Sequence, residues 1–324
     1  MQSTMRIYSG ICSLIACLTA IILLGNCSSL RNEVDPSQLG LASPKLVVSG
    51  YLSPQDTILA VKVTRSNTVV GDSLSLLQMG NNITDATVTL SEGSRSVTLL
   101  YNSSYSSTDS VAQHYYSANA RLLPIIVGHT YTLNVVTANG QRASSTCTIP
   151  GPVSPTTITF DSLTENRGRF QSRRYYVLTR WQDPAGQPNY YQVAGYFRYT
   201  TQCTTCQVAQ FGTFPLSFDD DNRGLFSDAG VDGTTMISGR AYMTSSSLTN
   251  DQLTNFYSQY KTASVIVNLM SVDQTFYQFQ GAVIRQRRVR NNPFAEPVLI
   301  PSNINGGLGC FAGYNNSAIT LTLN

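Results

Sequence analysis

The stretch Thr130-Tyr131-Thr132-Leu133-Asn134-Val135-Val136, followed by Asn139-Gly140 and then by residues 142–149, decides the fold class. Tyr131, Leu133 and Val135 alternate with Thr132 and Asn134, the period-two pattern of a strand with one buried face. Asn-Gly is the strongest short hairpin signal, because a type I′ turn asks for positive φ at both central residues. Residues 142–149 are then the return strand. The same alternation runs upstream through Leu59, Val61 and Val63, and through Ala86, Val88 and Leu90. Beyond the turn Glu92-Gly93-Ser94 it resumes at Val97, Leu99 and Tyr101. Short strands separated by turn residues predict an Ig-like β-sandwich over 45–150, interrupted by a Ser-rich loop at 102–110. Pro150-Gly151-Pro152, with Pro155 beyond, marks its end.

Residues 151–324 read as a second, β-rich α+β domain. Strands are expected at 175–181 and 190–199, around the turn Asp183-Pro184-Ala185-Gly186, and at 264–272. Two short helices are expected as well. Thr249 and Gln252 can form a capping box ahead of Leu253, Phe256, Tyr257 and Tyr260. Ser271 and Gln274 repeat the device before Phe276, Phe279 and Val283. Each helix would lay an apolar stripe on a sheet. The chain as a whole is mainly β.

The N-terminus reads as an address. Residues 1–26 carry one charge, Arg6, ahead of an apolar run from Ile7 to Leu24 that Ser9, Gly10, Ser13 and Thr19 interrupt. A positive start followed by a short apolar core is a secretory signal; the alternative, a transmembrane anchor, needs about 20 apolar residues. Leu24-Gly25-Asn26-Cys27 separates the two, because it resembles the bacterial lipobox, in which the Cys is diacylated before cleavage. Cys27 is therefore the lipidation candidate, and 27–44, polar and aperiodic, reads as a lipidated tether. Stable anchoring by lipid alone needs at least two chains, which such an N-terminus carries.

Composition bounds the function. Hydrophobic residues make up 42% of the 324 positions and charged ones only 12%, against about 25% in an average domain. Ser, Thr, Asn, Gln and 18 Tyr cover the surface instead. A net charge of +3 is too small for nucleic-acid binding by charge alone. Two histidines leave little for imidazole-based metal or proton-transfer chemistry.

Several segments together resemble a known family. They are Asn32-Glu33-Val34-Asp35-Pro36, Lys45-Leu46-Val47-Val48-Ser49-Gly50-Tyr51-Leu52, Thr84-Asp85-Ala86-Thr87-Val88-Thr89-Leu90 and Gly128-His129-Thr130-Tyr131-Thr132-Leu133. Trp181-Gln182-Asp183-Pro184 and Asn189-Tyr190-Tyr191 follow. The most specific are Asn292-Pro293-Phe294-Ala295-Glu296-Pro297 and the segment from Ser302 through Asn303-Ile304-Asn305-Gly306-Gly307-Leu308-Gly309 to Tyr314. From about residue 27 onward the chain resembles the domain-of-unknown-function 4249 family of Bacteroidota-type lipoproteins. The resemblance implies an outer-membrane lipoprotein, often encoded near TonB-dependent transporters. It implies no established activity and brings no catalytic residues.

Candidate chemistry beyond Cys27 is sparse. Cys203-Thr204-Thr205-Cys206 reads as a structural disulfide of an exported protein, since a redox motif wants a thioredoxin-like βαβ setting and a zinc site a second close pair. Cys310 reads as a buried free thiol. Asp219-Asp220-Asp221-Asn222-Arg223-Gly224, with Asp228 and Asp232 beyond, offers the hard oxygen ligands calcium takes. The EF-hand pattern fails there, because Arg223 fills the fifth position and Gly230 stands where the bidentate Glu belongs. A solvated acidic turn, with Phe218 and Phe226 plugging the core, is the plainer alternative. Arg285, Arg287, Arg288 and Arg290 form one basic run, and Arg167, Arg169, Arg173 and Arg174 another; anionic lipid headgroups or acidic glycans suit them, as does a solvated face. Gly306-Gly307-Leu308-Gly309 lacks dinucleotide-binding spacing and reads as backbone turning before a terminal strand. His114 and His129 lie near no nucleophile elbow.

The expectation is a non-enzymatic outer-membrane lipoprotein without a cofactor, held to the membrane by its lipid. It captures a ligand or assists a TonB-dependent transporter. A structural or adhesion module and an envelope hydrolase with paired carboxylates are the alternatives. Binding is expected at 102–110, at 219–232 (foremost, through Asp219, Asp221, Asp228 and Asp232) or in the crease around 150–155.

Overall fold

The alternating segments form strands, and their alternation is their burial pattern. In the computed structural model the residues described are 44–66, 81–102, 114–167, 170–201, 211–243, 260–292, 294–296 and 298–323. The first strands are β1 (Leu46–Leu52), β2 (Ile58–Arg65), β3 (Thr87–Glu92), β4 (Arg95–Asn102), β5 (Tyr115–Asn119), β6 (Thr130–Val136) and β7 (Arg142–Thr148). Then come β8 (Pro155–Arg167), β9 (Phe170–Gln182), β10 (Tyr190–Thr201), β11 (Phe211–Phe218), β12 (Leu225–Ser227), β13 (Thr235–Ile237) and β14 (Ala241–Met243). β15 (Tyr260–Val272), the helix α1 (Gln274–Val289) and β16 (Gly307–Leu323) complete the order. The protein is thus mainly β, with a single α-helix among the described residues.

The strands form one continuous path, β13-β9-β14-β11-β10-β15-β16-β1-β2-β5-β4-β3-β6-β7, with β12 added to β10 and β8 to β9. The path encloses two cores. Val48, Leu59, Val61, Leu90, Leu133 and Val135 lie in the first. Val177, Trp181, Tyr191, Phe197, Val265 and Leu269 lie in the second. Each such side chain contributes about 1.5–3 kcal/mol by leaving water. The first core is closed where β7 returns to the residues ahead of β16: Ser144 N–H donates to Asn305 O at 3.0 Å, and Asn305 N–H to Ser144 O at 2.8 Å. Tyrosines serve as core residues with a polar tip. Tyr116 OH donates to Ile83 O at 2.9 Å and accepts from Ala86 N–H at 2.8 Å. Tyr131 OH does the same with Pro124 O and Ile126 N–H.

The hairpin at Asn139-Gly140 forms, but by a different turn. Gly140 has φ +83° while Asn139 stays at negative φ, so both-positive type I′ geometry is absent. Gly140 N–H instead donates to Thr137 O, and Thr137 N–H to Gln141 O, the longer connection in which a left-handed Gly follows an ordinary turn. In the second half, β9 and β10 are separated by β14 and β11 in the path, so the 183–186 turn joins strands that are not hydrogen-bonded neighbours. The expected helix at 249–260 falls outside the described residues except for Tyr260, which opens β15.

The helix after Ser271 is present, but Ser271 belongs to β15 and the N-cap is Asp273. Its Oδ1 accepts from Phe276 N–H at 2.7 Å, and its Oδ2 accepts from Gly313 N–H at 2.7 Å. One carboxylate therefore caps α1 and ties it to β16. Phe276, Phe279 and Val283 are half-buried, and the fully buried position is Ala282, where the helix comes closest to the sheet.

β1 and β16 form the one parallel pair among the described strands, with Leu46 opposite Gly307 through Leu52 opposite Gly313. Gly309 lies at φ +120°, and a Cβ there would run into Val48 O. Side chains reinforce the seam. Gln55 Nε2 donates to Asn315 Oδ1 at 2.9 Å, Asn315 Nδ2 donates to Pro150 O at 3.1 Å, and Tyr314 OH donates to Asp56 Oδ1 at 3.2 Å.

Gly309→Ala should cost more than the roughly 1–3 kcal/mol of backbone strain alone, because Val48 O must also move. Gly151→Ala, with open space around the position and no positive φ, should stay within about 0.5 kcal/mol of the parent. Urea unfolding of the two variants checks the contrast. Burial raises the Asp56 carboxyl above its ordinary value of 3.8. The folded state then holds that proton more readily than the unfolded chain, so Asp56's contribution to stability is full below the unfolded pKa and is lost as pH rises through the folded one. Asp56→Asn should gain stability relative to the parent as pH rises from about 4 to about 6; denaturant midpoints across that range measure it.

Candidate functional site

The acidic residues at 219–232 divide into two groups. Asp219, Asp220 and Asp221 belong to a turn between β11 and β12. Asp220 accepts from Gly224 N–H at 3.0 and 3.1 Å, while Arg223 and Gly224 take φ of +51° and +81°. Asp219 faces Arg240 at 3.7 Å and Asp221 faces Arg288 at 3.6 Å, both at the surface. Phe226 meets Trp181 edge-on at 5.7 Å, and Phe218 packs against the second core.

Asp228 and Asp232 instead gather with Asp183, their carboxylate oxygens lying within 4.8 Å of one another. Asp183 and Asp228 are buried and Asp232 is exposed. Such a trio offers the oxygen donors that calcium takes. Its hydrogen bonds, however, make it a clasp between two turns. Asp183 Oδ1 accepts from Tyr191 OH, and its Oδ2 from Gly233 N–H at 2.9 Å. Asp228 Oδ2 accepts from Asn189 N–H at 2.8 Å, and Asp232 from Gly186 N–H at 3.0 Å. Each turn's carboxylates thus hold the other's amides. Burial, with the Asp183 carboxylate beside it, pushes the Tyr191 phenol far above its ordinary value, so the phenol stays protonated and keeps donating. Asp183 was legible only as a turn acid beside Pro184; its burial is a property of the fold.

The 184–190 turn that the clasp holds borders a cleft of ≈ 580 Å³ in the crease after β7. Ile149 to Val153, Pro184, residues 187–190 and Ser271 to Gln274 line it. Asp273 is the one carboxylate among the described residues lining it; both its oxygens are held by amides, and burial raises its pKa. Ser271 is 5% exposed and its Oγ has no hydrogen-bond partner. Across β10–β15 it lies opposite Tyr191, which meets Trp181 edge-on at 5.4 Å; the buried Trp181 Nε1 also lacks a partner. Two buried polar groups without partners therefore flank one tyrosine, and such groups are rare enough to ask for a reason.

Of the other expected positions, Cys27, Cys203, Cys206 and residues 103–110 of the Ser-rich loop lie outside the described residues. Cys147 and Cys310 are buried free thiols, and burial pushes the Cys310 thiol up to about 12, so it stays protonated. His114 Nδ1 pairs with Tyr101 OH and His129 Nδ1 with Glu92, each at 2.8 Å. Arg173 and Arg174 lie on β9, and Arg174 stands 3.7 Å over the Tyr242 ring. Arg285, Arg287 and Arg288 fall in the last turns of α1, with Arg290 as its C-cap. No helix of the described residues is long and apolar enough to cross a membrane.

These features define a class: a mainly β protein on one mixed sheet, with one α-helix among the described residues capped into its parallel seam and a cleft beside that cap. The chain belongs to the family described as Domain of unknown function (DUF4249), whose model matches residues 31–320, as the quoted segments implied. No curated protein matches it.

Asp183→Ala strips a buried phenol and an amide of their acceptor and should destabilise by about 3 kcal/mol or more. Asp232→Ala, at the exposed edge, should cost at most about 1 kcal/mol. Thermal melts separate these outcomes. A rise in Tm on adding calcium that Asp183→Ala abolishes would make the trio an ion site instead of a clasp.

Proposed function

We propose that the protein is an outer-membrane lipoprotein, anchored through diacylated Cys27, that binds a ligand in the 149–153 crease and carries out no chemistry on it. In this reading the captured ligand passes to a TonB-dependent transporter. The observation that carries the binding role is the cleft itself, where the segment after β7, the 184–190 turn and the start of α1 come together around ≈ 580 Å³. The lining favours an uncharged ligand with both polar and apolar faces. Among the described residues it combines four prolines, Tyr190 and Val272 with side-chain amides from Gln187 and Asn189, and contains no Lys or Arg. Prolines keep such walls stiff, so little ordering is lost on binding. The anchor is supported by Leu24-Gly25-Asn26-Cys27, and the polar residues from 27 to 44 reach at most about 60 Å when fully extended. The transporter association rests on the family's implied setting.

Mass spectrometry of the mature N-terminus tests the anchor: the expected chain starts at acylated Cys27, and Cys27→Ala should block both modification and cleavage. An unmodified Cys27 would sink the lipoprotein reading. Tagged protein recovered from detergent-solubilised envelopes should bring a β-barrel transporter with it, and recovery without one would remove that role. Native mass spectrometry of the same sample should reveal a retained small molecule in the parent and at least tenfold less of it in a Gln187→Ala, Tyr190→Ala double variant.

A further inference from the structure

The far end of α1 carries a different kind of surface. Arg285, Arg287, Arg288 and Arg290 crowd the helix C-terminus, where the helix dipole favours cations. Among the described residues, only Arg288 has a carboxylate opposite, Asp221 at 3.6 Å, and that Asp side chain is 94% exposed. The other three guanidinium groups are unpaired there. Directly after the helix, Phe294 is 94% exposed, and its N–H donates to Asn292 Oδ1 at 3.1 Å in a turn that follows Arg290. The chain then returns along the helix. Leu299 and Pro301 line a groove of ≈ 360 Å³ with Gly281 and Arg285, and Leu299 is itself 89% exposed. A solvated basic face explains the arginines alone. It gives no reason for the two most exposed large apolar side chains among the described residues to follow the arginines so closely in the chain, with Leu299 sharing a groove with Arg285.

The geometry points to a docking patch for an anionic phospholipid surface, in which the arginines take headgroup phosphates while Phe294 and Leu299 enter the headgroup–acyl boundary. Charge complementarity favours an anionic partner, since four guanidinium groups ring the end of α1 within six positions, against Asp221 and the exposed Glu296. The paired apolar side chains favour a bilayer over a free phosphate or an acidic glycan, neither of which offers an apolar layer to Phe and Leu. This goes beyond the Cys27 reading. A lipid anchor brings the molecule to a membrane, whereas the patch would set which side of it faces the bilayer.

The test uses the full chain with Phe294→Trp, whose indole is a clean reporter because the protein's own Trp181 is fully buried. Vesicles of phosphatidylglycerol with phosphatidylethanolamine are compared with phosphatidylcholine alone. On the anionic vesicles the introduced indole should shift to shorter wavelength and be quenched by brominated acyl chains. Each of Arg287→Gln and Arg290→Gln should weaken this response about fivefold, and high salt should weaken it further. Leu299→Trp repeats the measurement independently, with circular dichroism confirming the fold of each variant. Flotation of the same samples reports on the anchor separately. A chain that floats with both vesicle types while the indole stays unshifted keeps the anchor and overturns the patch. A shift on anionic vesicles in a chain that never floats with neutral ones keeps the patch and overturns the anchor. An equal shift on both vesicle types, or one blind to the arginine changes, overturns the charge recognition. An equal response to a soluble acidic polysaccharide makes the occupant a glycan and overturns the lipid assignment.

Discussion

The parallel pairing of β1 with β16 is the contact on which the rest of the molecule depends. It joins the two stretches of sheet into one path, and β16 serves both cores. Phe311 fills the first core, while Ile319, Leu321 and Leu323 pack at the second. Such an approach between two backbones leaves no room for a side chain at the crossing, which is why Gly309 takes a conformation closed to other residues. Asn303 shows the same tightness in polar form. Its side chain accepts from Phe311 N–H at 3.0 Å and donates to Phe311 O at 2.7 Å, standing in for a neighbouring strand where the ladder has none.

The cleft is a consequence of that seam. Asn315 holds Pro150 from one side, and Asp273 holds Gly313 from the other. The segment after β7 and the start of α1 are thereby fixed against the same strand. The 183–189 turn then completes the enclosure only because Asp183, Asp228 and Asp232 bind it to the turn at 228–234. Charge is used sparingly, and the few carboxylates that brace the fold, Asp183, Asp228, Asp232 and Asp273, do so by accepting from backbone amides and a phenol. That is the structural meaning of a chain with 12% charged residues and 18 tyrosines.

Local patterns carried well from residues to strands. Leu59, Val61 and Val63, and Tyr131, Leu133 and Val135, turn inward as their alternation requires, and the helix at Phe276–Val283 follows from its apolar spacing. Its cap did not follow, because Ser271 satisfies the same spacing rule as a true cap, and only the length of β15 shows that it is still in the strand. The glycines at 306–309 were legible as turning points but not as the place where a parallel partner passes. The candidate site was half visible. Asp228 and Asp232 stood out as acids near a Gly-rich turn, but their partner Asp183 is 45 residues away from the nearer of them, and its identity depends on which turns the sheet brings together. The crease at Pro150-Gly151-Pro152 was visible as punctuation; that it opens into a cleft depends on strands far along the chain.

The span of the seam also bears on how the chain reaches this state. Gln55 and Asn316 meet across 261 positions, so β1 leaves the ribosome long before the strand that will cover its edge. Until residues 307–323 arrive, β1 offers an open ladder and the first core lacks Phe311, a condition that invites pairing with other chains. Closure over such a separation is slow compared with local hairpins. A protein built this way gains from being kept apart from its neighbours while it is synthesised, and carrier proteins that hold extended chains apart are the natural means of doing so.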